Sequence, residues 1–216
     1  MEQEQTGLPE ITTLHYQVND PKANRRCWYV SRFNPHMKAY MQHGPQYLEQ
    51  LQVLLFDFRP DLIIELGTLD AALTLFFHEQ LPDVRLHTFD RYEVKEAILD
   101  QFTDKVTFHN GDLLRDGNLE LFNLLEEESE TKKFVYLDNG NKPRETELYS
   151  WLLSKGDMIG LHDWDTEYKG KPVENLLVNR GFLPTVMNLS LILSGDVFSR
   201  FFIREAYRGK STRRSA

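Results

Sequence analysis

Several segments of this chain end in side chains equipped for chemistry, and their spacing suggests that they share one edge of a sheet. Pro60-Asp61-Leu62-Ile63-Ile64-Glu65-Leu66-Gly67-Thr68-Leu69-Asp70 reads as a buried strand that delivers a carboxylate and a glycine at its carboxyl end, where ligands bind in open α/β sheets. Gly67 lets the backbone approach a ligand closely in a tight turn, and Thr68 or Asp70 is suited to cap a helix beginning near Ala71. A second apolar run ends in Thr88-Phe89-Asp90, which places an acid to accept hydrogen bonds from the two hydroxyls of a ribose. A third leads into Asn110-Gly111-Asp112-Leu113, where Asp112 suits an adenine amino group and Leu113 the ring face. Either acid alone reads equally well as a loop or capping carboxylate. Their occurrence after successive strands is what points to a nucleotide-like cofactor.

Two further strand ends carry the candidate catalytic groups. Asp138 follows Phe134-Val135-Tyr136-Leu137, and His162-Asp163 follows Met158-Ile159-Gly160-Leu161, so Asp138, His162 and Asp163 are expected on the same edge, in an arrangement able to hold a divalent cation. The plainer alternatives are a hydrogen-bonded histidine at a strand end and an aspartate that caps a turn. Lys142 lies just beyond, in Asn139-Gly140-Asn141-Lys142. A neighbouring cation or an apolar wall would lower its pKa and make it a general base, whereas a solvated lysine has no such role. Trp164 is read as packing, and Arg144-Glu145 as the start of a helix whose dipole favours Glu145.

Regular elements must position these groups. From Pro45 to Phe58, Tyr47, Leu48, Leu51, Leu54, Leu55 and Phe58 recur at three- and four-residue steps, the pattern of an amphipathic helix, and Arg59-Pro60 ends it. Beyond Pro60, short apolar runs (62–66, 85–89, 105–109, 134–137, 158–161) alternate with helical stretches (71–80, 94–102, 119–128, 144–153). This alternation predicts an α/β fold, a doubly wound, mostly parallel sheet with helices on both faces. Phe182 to Leu193 and Val197 to Ile203, joined across Ser194-Gly195-Asp196, predict an antiparallel carboxyl-terminal hairpin. Residues 1–44 are expected to form an irregular arm that covers the active site, 45–205 the α/β domain, and 206–216 a flexible basic tail. That tail begins a cluster with Arg204, Arg208, Lys210, Arg213 and Arg214, read as a solvated terminus.

Composition narrows the partners. A chain of 216 residues with 41% hydrophobic and 27% charged residues suits one globular domain. A net charge of −8 and a pI near 5.4 argue against nucleic acid and for a small-molecule acceptor. One cysteine, no apolar run long enough to span a bilayer and no signal-peptide core point to the cytoplasm and away from a membrane. A homo-oligomer stays open.

Glu65-x-Gly67, Asp90, Gly111-Asp112 and the strand order resemble the class I S-adenosylmethionine-dependent methyltransferases over roughly residues 45 to 205. The segments 134–142 and 156–164 resemble the cephalosporin-hydroxylase-like and catechol O-methyltransferase-like branches. The resemblance implies a Rossmann-like methyltransferase fold, S-adenosylmethionine held by Glu65, Gly67, Thr68, Asp90, Gly111 and Asp112, and transfer of methyl to a small molecule, with Asp138, Lys142 and His162 as catalytic groups. In the metal-dependent members, acidic or amide groups after the two later strands bind magnesium; here His162 takes one of those positions, and imidazole favours manganese, iron or zinc. Ala71-Ala72 stands where such families usually carry glycine. Two alternatives accompany this reading. One is a nicotinamide-dependent oxidoreductase, although the full glycine fingerprint is absent. The other is a member of the fold that has lost its cofactor.

Overall fold

The computed structural model describes residues 16–18, 27–31, 34, 38–41, 43–114, 118–127, 131–164, 171–185 and 199–205. Within the amino-terminal segment lie three strands, β1 (Tyr16–Val18), β2 (Cys27–Val30) and β3 (Lys38–Met41), paired antiparallel in the order β1-β2-β3. The expected irregular arm is therefore ordered in part. Its strands are only three or four residues long, too short to leave a period in the sequence. The sheet is held to the main body from below: the buried Glu79 accepts hydrogen bonds from the Tyr29 hydroxyl at 2.8 Å and the Ser31 hydroxyl at 2.5 Å.

Helix α1 (Pro45–Phe58) matches the predicted span. Pro45 occupies its first turn, Arg59 ends it in the left-handed conformation, and the six apolar residues of the stripe are buried. The elements then run β4 (Leu62–Leu66), α2 (Ala72–Gln80), β5 (Arg85–Asp90), α3 (Glu96–Leu99), β6 (Val106–Asn110), α4 (Leu119–Glu127), β7 (Lys133–Leu137), α5 (Lys142–Tyr149), β8 (Met158–Leu161), α6 (Lys171–Asn179), β9 (Phe182–Pro184) and β10 (Arg200–Arg204). Two helices differ from expectation. Only one turn, α3, forms between 94 and 102, and the chain from Tyr92 to Lys95 ahead of it lines a cavity. Helix α5 starts at Lys142, where Pro143 is compatible with the first turn.

The main sheet has seven strands in the order β6-β5-β4-β7-β8-β10-β9. β4, β5, β6, β7 and β8 are parallel, and β10 pairs antiparallel with both β8 and β9. The predicted turn at 194–196, the tail 206–216 and Glu128 to Glu130 lie outside the described residues. Arg204 does not belong to a solvated terminus: it is buried in β10, its guanidinium donating to the Trp151 carbonyl at 3.1 Å and lying over the Phe182 ring. Alternation along the strands builds two cores. Ile63, Phe134, Tyr136, Met158 and Phe201 meet α1 and α2 on one face. Leu62, Ile64, Val135, Leu137, Ile159, Leu161 and Phe202 meet residues of α4, α5 and α6 on the other, where Trp164 packs on Phe202.

The order reverses between β4 and β7, so a crevice opens at their carboxyl ends. Gly67, with φ +109°, lies at its floor, and a Cβ there would come within 2.5 Å of the Asp138 carbonyl oxygen. Gly67→Ala is expected to cost roughly 2 to 4 kcal/mol, combining backbone strain with overpacking against main chain that has no rotamer to change. Denaturant unfolding measures it, and a loss under about 0.5 kcal/mol would show that the two strand ends separate freely.

Candidate functional site

Register brings the candidate groups together. Leu66 pairs with Leu137, and Leu137 with Leu161, so the residues that follow, Gly67, Asp138 and His162, stand in a row along the edge. Two cavities open there. One, of about 220 Å³, is lined by Gly67, Thr68, Leu69, Asp70, Ala72, Asp138, Asn139 and Gly140, with Tyr40 and His43 from the amino-terminal segment. The other, of about 570 Å³, is lined by residues 93–96, Leu99, Phe108, His109 and Asn110. Thr68, Asp90 and Tyr92 line both, which makes them parts of one elongated cleft.

Asp90 organises the loop between the cavities. Its Oδ2 accepts the backbone N–H groups of Thr68 and Leu69, each at 2.9 Å, and its Oδ1 accepts that of Tyr92 at 2.9 Å. A carboxylate has about four acceptor sites, so one remains for a ligand hydroxyl. Glu65 is not on the cleft wall. It is wholly buried, and its Oε2 accepts the hydroxyls of Thr74 at 2.6 Å and Thr88 at 2.7 Å, joining β4, α2 and β5 under the loop. Gly111 and Asp112 line neither cavity; Asp112 Oδ1 instead accepts the Leu114 N–H at 3.0 Å. Helix α2 has no side-chain cap from Thr68 or Asp70. Its first position is reached through Ala71 in the left-handed conformation, φ 56°. Ala71 is buried away from the cleft, and Ala72 lines it.

The polar cluster at the β7 and β8 ends differs from the predicted set. His162 Nδ1 lies 2.7 Å from Asp138 Oδ1, but off the line of a hydrogen bond, so neither ring nitrogen of this buried histidine has an aligned partner. Lys142 donates to Asp163 Oδ2 at 2.8 Å and lies 3.5 Å from Asp138 Oδ1. Asp163 is thereby drawn to the lysine. In its place His43 joins the cluster, its Nε2 3.5 Å from Asp138 Oδ2 and its ring 4.4 Å from that of His162. One ligand atom each from His43, Asp138 and His162 all lie within 4.8 Å of one another. His43 was invisible to sequence reasoning because only the folding of the amino-terminal segment carries it there. Beneath it, Tyr136 and Tyr47 share a hydroxyl contact, and the Tyr47 hydroxyl lies 2.8 Å from that of Ser199.

Burial and charge set the protonation states. Burial, aided by the neighbouring His162, takes His43 down to about 3, so it is neutral. Burial also opposes charge on His162, yet Asp138 and Asp163 outweigh it and raise that imidazole to about 9. Burial opposes charge on Asp138 too, but His162, reinforced by Lys142, holds its carboxyl below the usual range. The neighbouring His162, resisted by burial and reinforced by Lys142, does the same for Asp163. Burial drives Glu65 up to about 8, against the two threonine hydroxyls.

No protein-family model and no curated protein matches the chain. Solved structures do. The apo-structure of CmcI aligns at TM-score 0.58 and 19% identity, covering 77% of this chain and 73% of that one. CmcI with Mg and SAM aligns at 0.52 and 19%, covering 80% and 78%. The O-methyltransferase TomG from Streptomyces achromogenes, in complex with SAM, aligns at 0.50 and 17%, covering 76% and 81%. The likeness shows the fold alone, a mostly parallel Rossmann-like sheet with flanking helices that this chain shares with these structures. Magnesium, held in one of these structures, does not suit the residues present here. That ion prefers oxygen donors; of His43, Asp138 and His162 only Asp138 supplies them, and Asp163 Oδ2, 3.3 Å from His162 Nδ1, is held by Lys142.

A pH dependence follows from Glu65. Between its unfolded value of 4.5 and about 8, the folded chain keeps a proton that the unfolded chain releases, so stability falls as pH rises through that window. The contribution is complete below 4.5 and lost once pH passes 8. Glu65→Gln keeps the neutral shape and cannot ionise. Relative to the unaltered protein it is expected to gain about 1 to 3 kcal/mol between pH 5 and pH 8 in denaturant unfolding. Parallel stability curves would mean that Glu65 is ionised in the fold.

Proposed function

We propose that the chain is an S-adenosylmethionine-dependent methyltransferase that methylates an oxygen of a small molecule. The observation that carries this reading is the two-lobed cleft at the topological switch point, with Asp90 at its waist and one carboxylate acceptor site to spare. Gly67 to Asp70 and Ala72, which line the smaller lobe, would hold the methionine half of the cofactor. Asp90 would hold the ribose, and Leu99, His109 and Asn110 of the larger lobe, rather than Asp112, would receive the adenine. The acceptor enters beneath Tyr40, next to Asn139 and Gly140. Its small size is inferred from the enclosing arm and from a net charge of −8, which repels polyanions. A cytoplasmic setting suits both.

When bound, the cofactor supplies a methyl group whose bond to sulfur breaks, with the electron pair returning to sulfur, as the acceptor oxygen attacks in line. The residues contribute alignment, worth a large share of such a barrier. The acceptor's proton leaves to water by way of the cleft, past Asp138 and His43, the polar groups of the cluster that open on it. Lys142 is held in its ion pair with Asp163 and serves to position those carboxylates. No step is assigned to magnesium.

Calorimetric titration with S-adenosylmethionine, S-adenosylhomocysteine and NAD tests the reading. The first two are expected to bind with one site and NAD not at all. Preferential binding of NAD would establish the oxidoreductase alternative, and binding of none would leave a fold without its cofactor. Asp90→Ala is expected to weaken S-adenosylhomocysteine by about 1 to 3 kcal/mol, since it strands a ribose hydroxyl and frees three loop amides. Unchanged affinity would remove Asp90 from the site.

A further inference from the structure

We infer that His43, Asp138 and His162 form a binding site for a first-row transition metal ion, zinc or ferrous iron, and not for magnesium. The inference goes beyond methyl transfer and does not depend on it. One ligand atom from each of the three residues lies within 4.8 Å of the other two. They come from three separate parts of the chain: the residue two positions before α1, the end of β7 and the end of β8. His43 and His162 are buried to 5% and 3% exposure, so their ring nitrogens have left water.

The local geometry favours a shared ion over a simple hydrogen-bond network. His162 Nδ1 approaches Asp138 Oδ1 to 2.7 Å without the alignment of a hydrogen bond, and its Nε2 also has no aligned partner. A buried polar atom left so costs about 1 to 3 kcal/mol, and coordination of a metal ion by the ring removes that cost. The set is two imidazoles and one carboxylate, the donor chemistry of catalytic zinc and of non-haem ferrous sites that keep open positions for water or substrate. Magnesium takes oxygen ligands in near-octahedral geometry and holds its waters tightly. Here Asp163, the second carboxylate that would serve it, is paired with Lys142 at 2.8 Å. The open side of the group faces the smaller lobe, which both His43 and Asp138 line, so an ion there would meet whatever molecule enters beneath Tyr40.

The test uses the full chain stripped by a chelator and titrated with zinc or magnesium against a chromophoric competitor, and with cobalt(II) followed by its visible absorption. Zinc is expected to bind one to one at least a hundredfold more tightly than magnesium. His43→Asn and His162→Asn are each expected to weaken zinc tenfold or more, and Asp163→Asn less than threefold. Equal affinity for zinc and magnesium, or undiminished zinc binding in His43→Asn, overturns the inference. Should either histidine variant fail to fold, X-ray absorption on the zinc-loaded unaltered protein decides: two imidazole ligands support the site, and none or one refutes it. Zinc binding by a protein that binds no S-adenosylmethionine would remove the methyltransferase proposal and leave this one standing.

Discussion

The functional edge depends on one close approach, that of the Gly67 backbone to the carbonyl of Asp138. Asp138 N–H donates to the Leu66 carbonyl at 2.8 Å, and His162 N–H to the Leu137 carbonyl at 3.1 Å, so the parallel ladder continues one residue past each strand. A side chain at 67 would break this lock, because the neighbour it would strike is main chain. With the lock closed, three strand ends finish level, and their next residues project as a row. The chemistry of the edge is thus a consequence of register, and register is enforced by the apolar faces on either side of the sheet.

Beneath that edge lies a layer of buried polar groups, each tied to a different element. Glu65 joins α2 and β5 through Thr74 and Thr88, and the Thr68 hydroxyl continues to Thr88 at 2.6 Å. Tyr47 of α1 reaches Tyr136 of β7 and Ser199 before β10. Buried polar groups stabilise a fold only while every partner is in place. Two such networks, one across α2, β4 and β5 and the other across α1, β7 and the residue before β10, therefore penalise slippage between the elements that each one joins. The apolar faces below them set the register, and the polar layer adds directional contacts that hold it.

The sequence made the sheet legible where strands are buried on both faces. Leu62 to Leu66 and Met158 to Leu161 are continuous apolar runs bounded by turn formers, and both match to the residue. Site residues were legible only as positions at strand ends. Glu65 and Asp112 share the chemistry and spacing of ligand-binding acids; what separates them from Asp90 is burial and the donors that surround each, and these depend on residues far away in sequence. The partner of Asp163 was not legible for the same reason: Lys142, brought near by the turn into α5, reaches it at 2.8 Å. His43 had no signal at all, since no period runs through the amino-terminal segment and its neighbours Asp138 and His162 come from the far half of the chain.

That segment belongs to the site in a physical sense. Its sheet is moored by Glu79, a wholly buried acid whose two oxygens take hydroxyls from Tyr29 and Ser31, and by Tyr29 edge-on to Phe76. Both anchors lie on α2, the helix that begins at the cleft with Ala72. Tyr40 and His43 follow from β3, which contacts α2 directly. Loosening the anchor would expose an acid that the fold has stripped of water and would also withdraw an imidazole from the carboxylate of Asp138. The cost of burying Glu79 and the completeness of the cleft are therefore linked, because the same chain segment that satisfies the acid supplies the histidine.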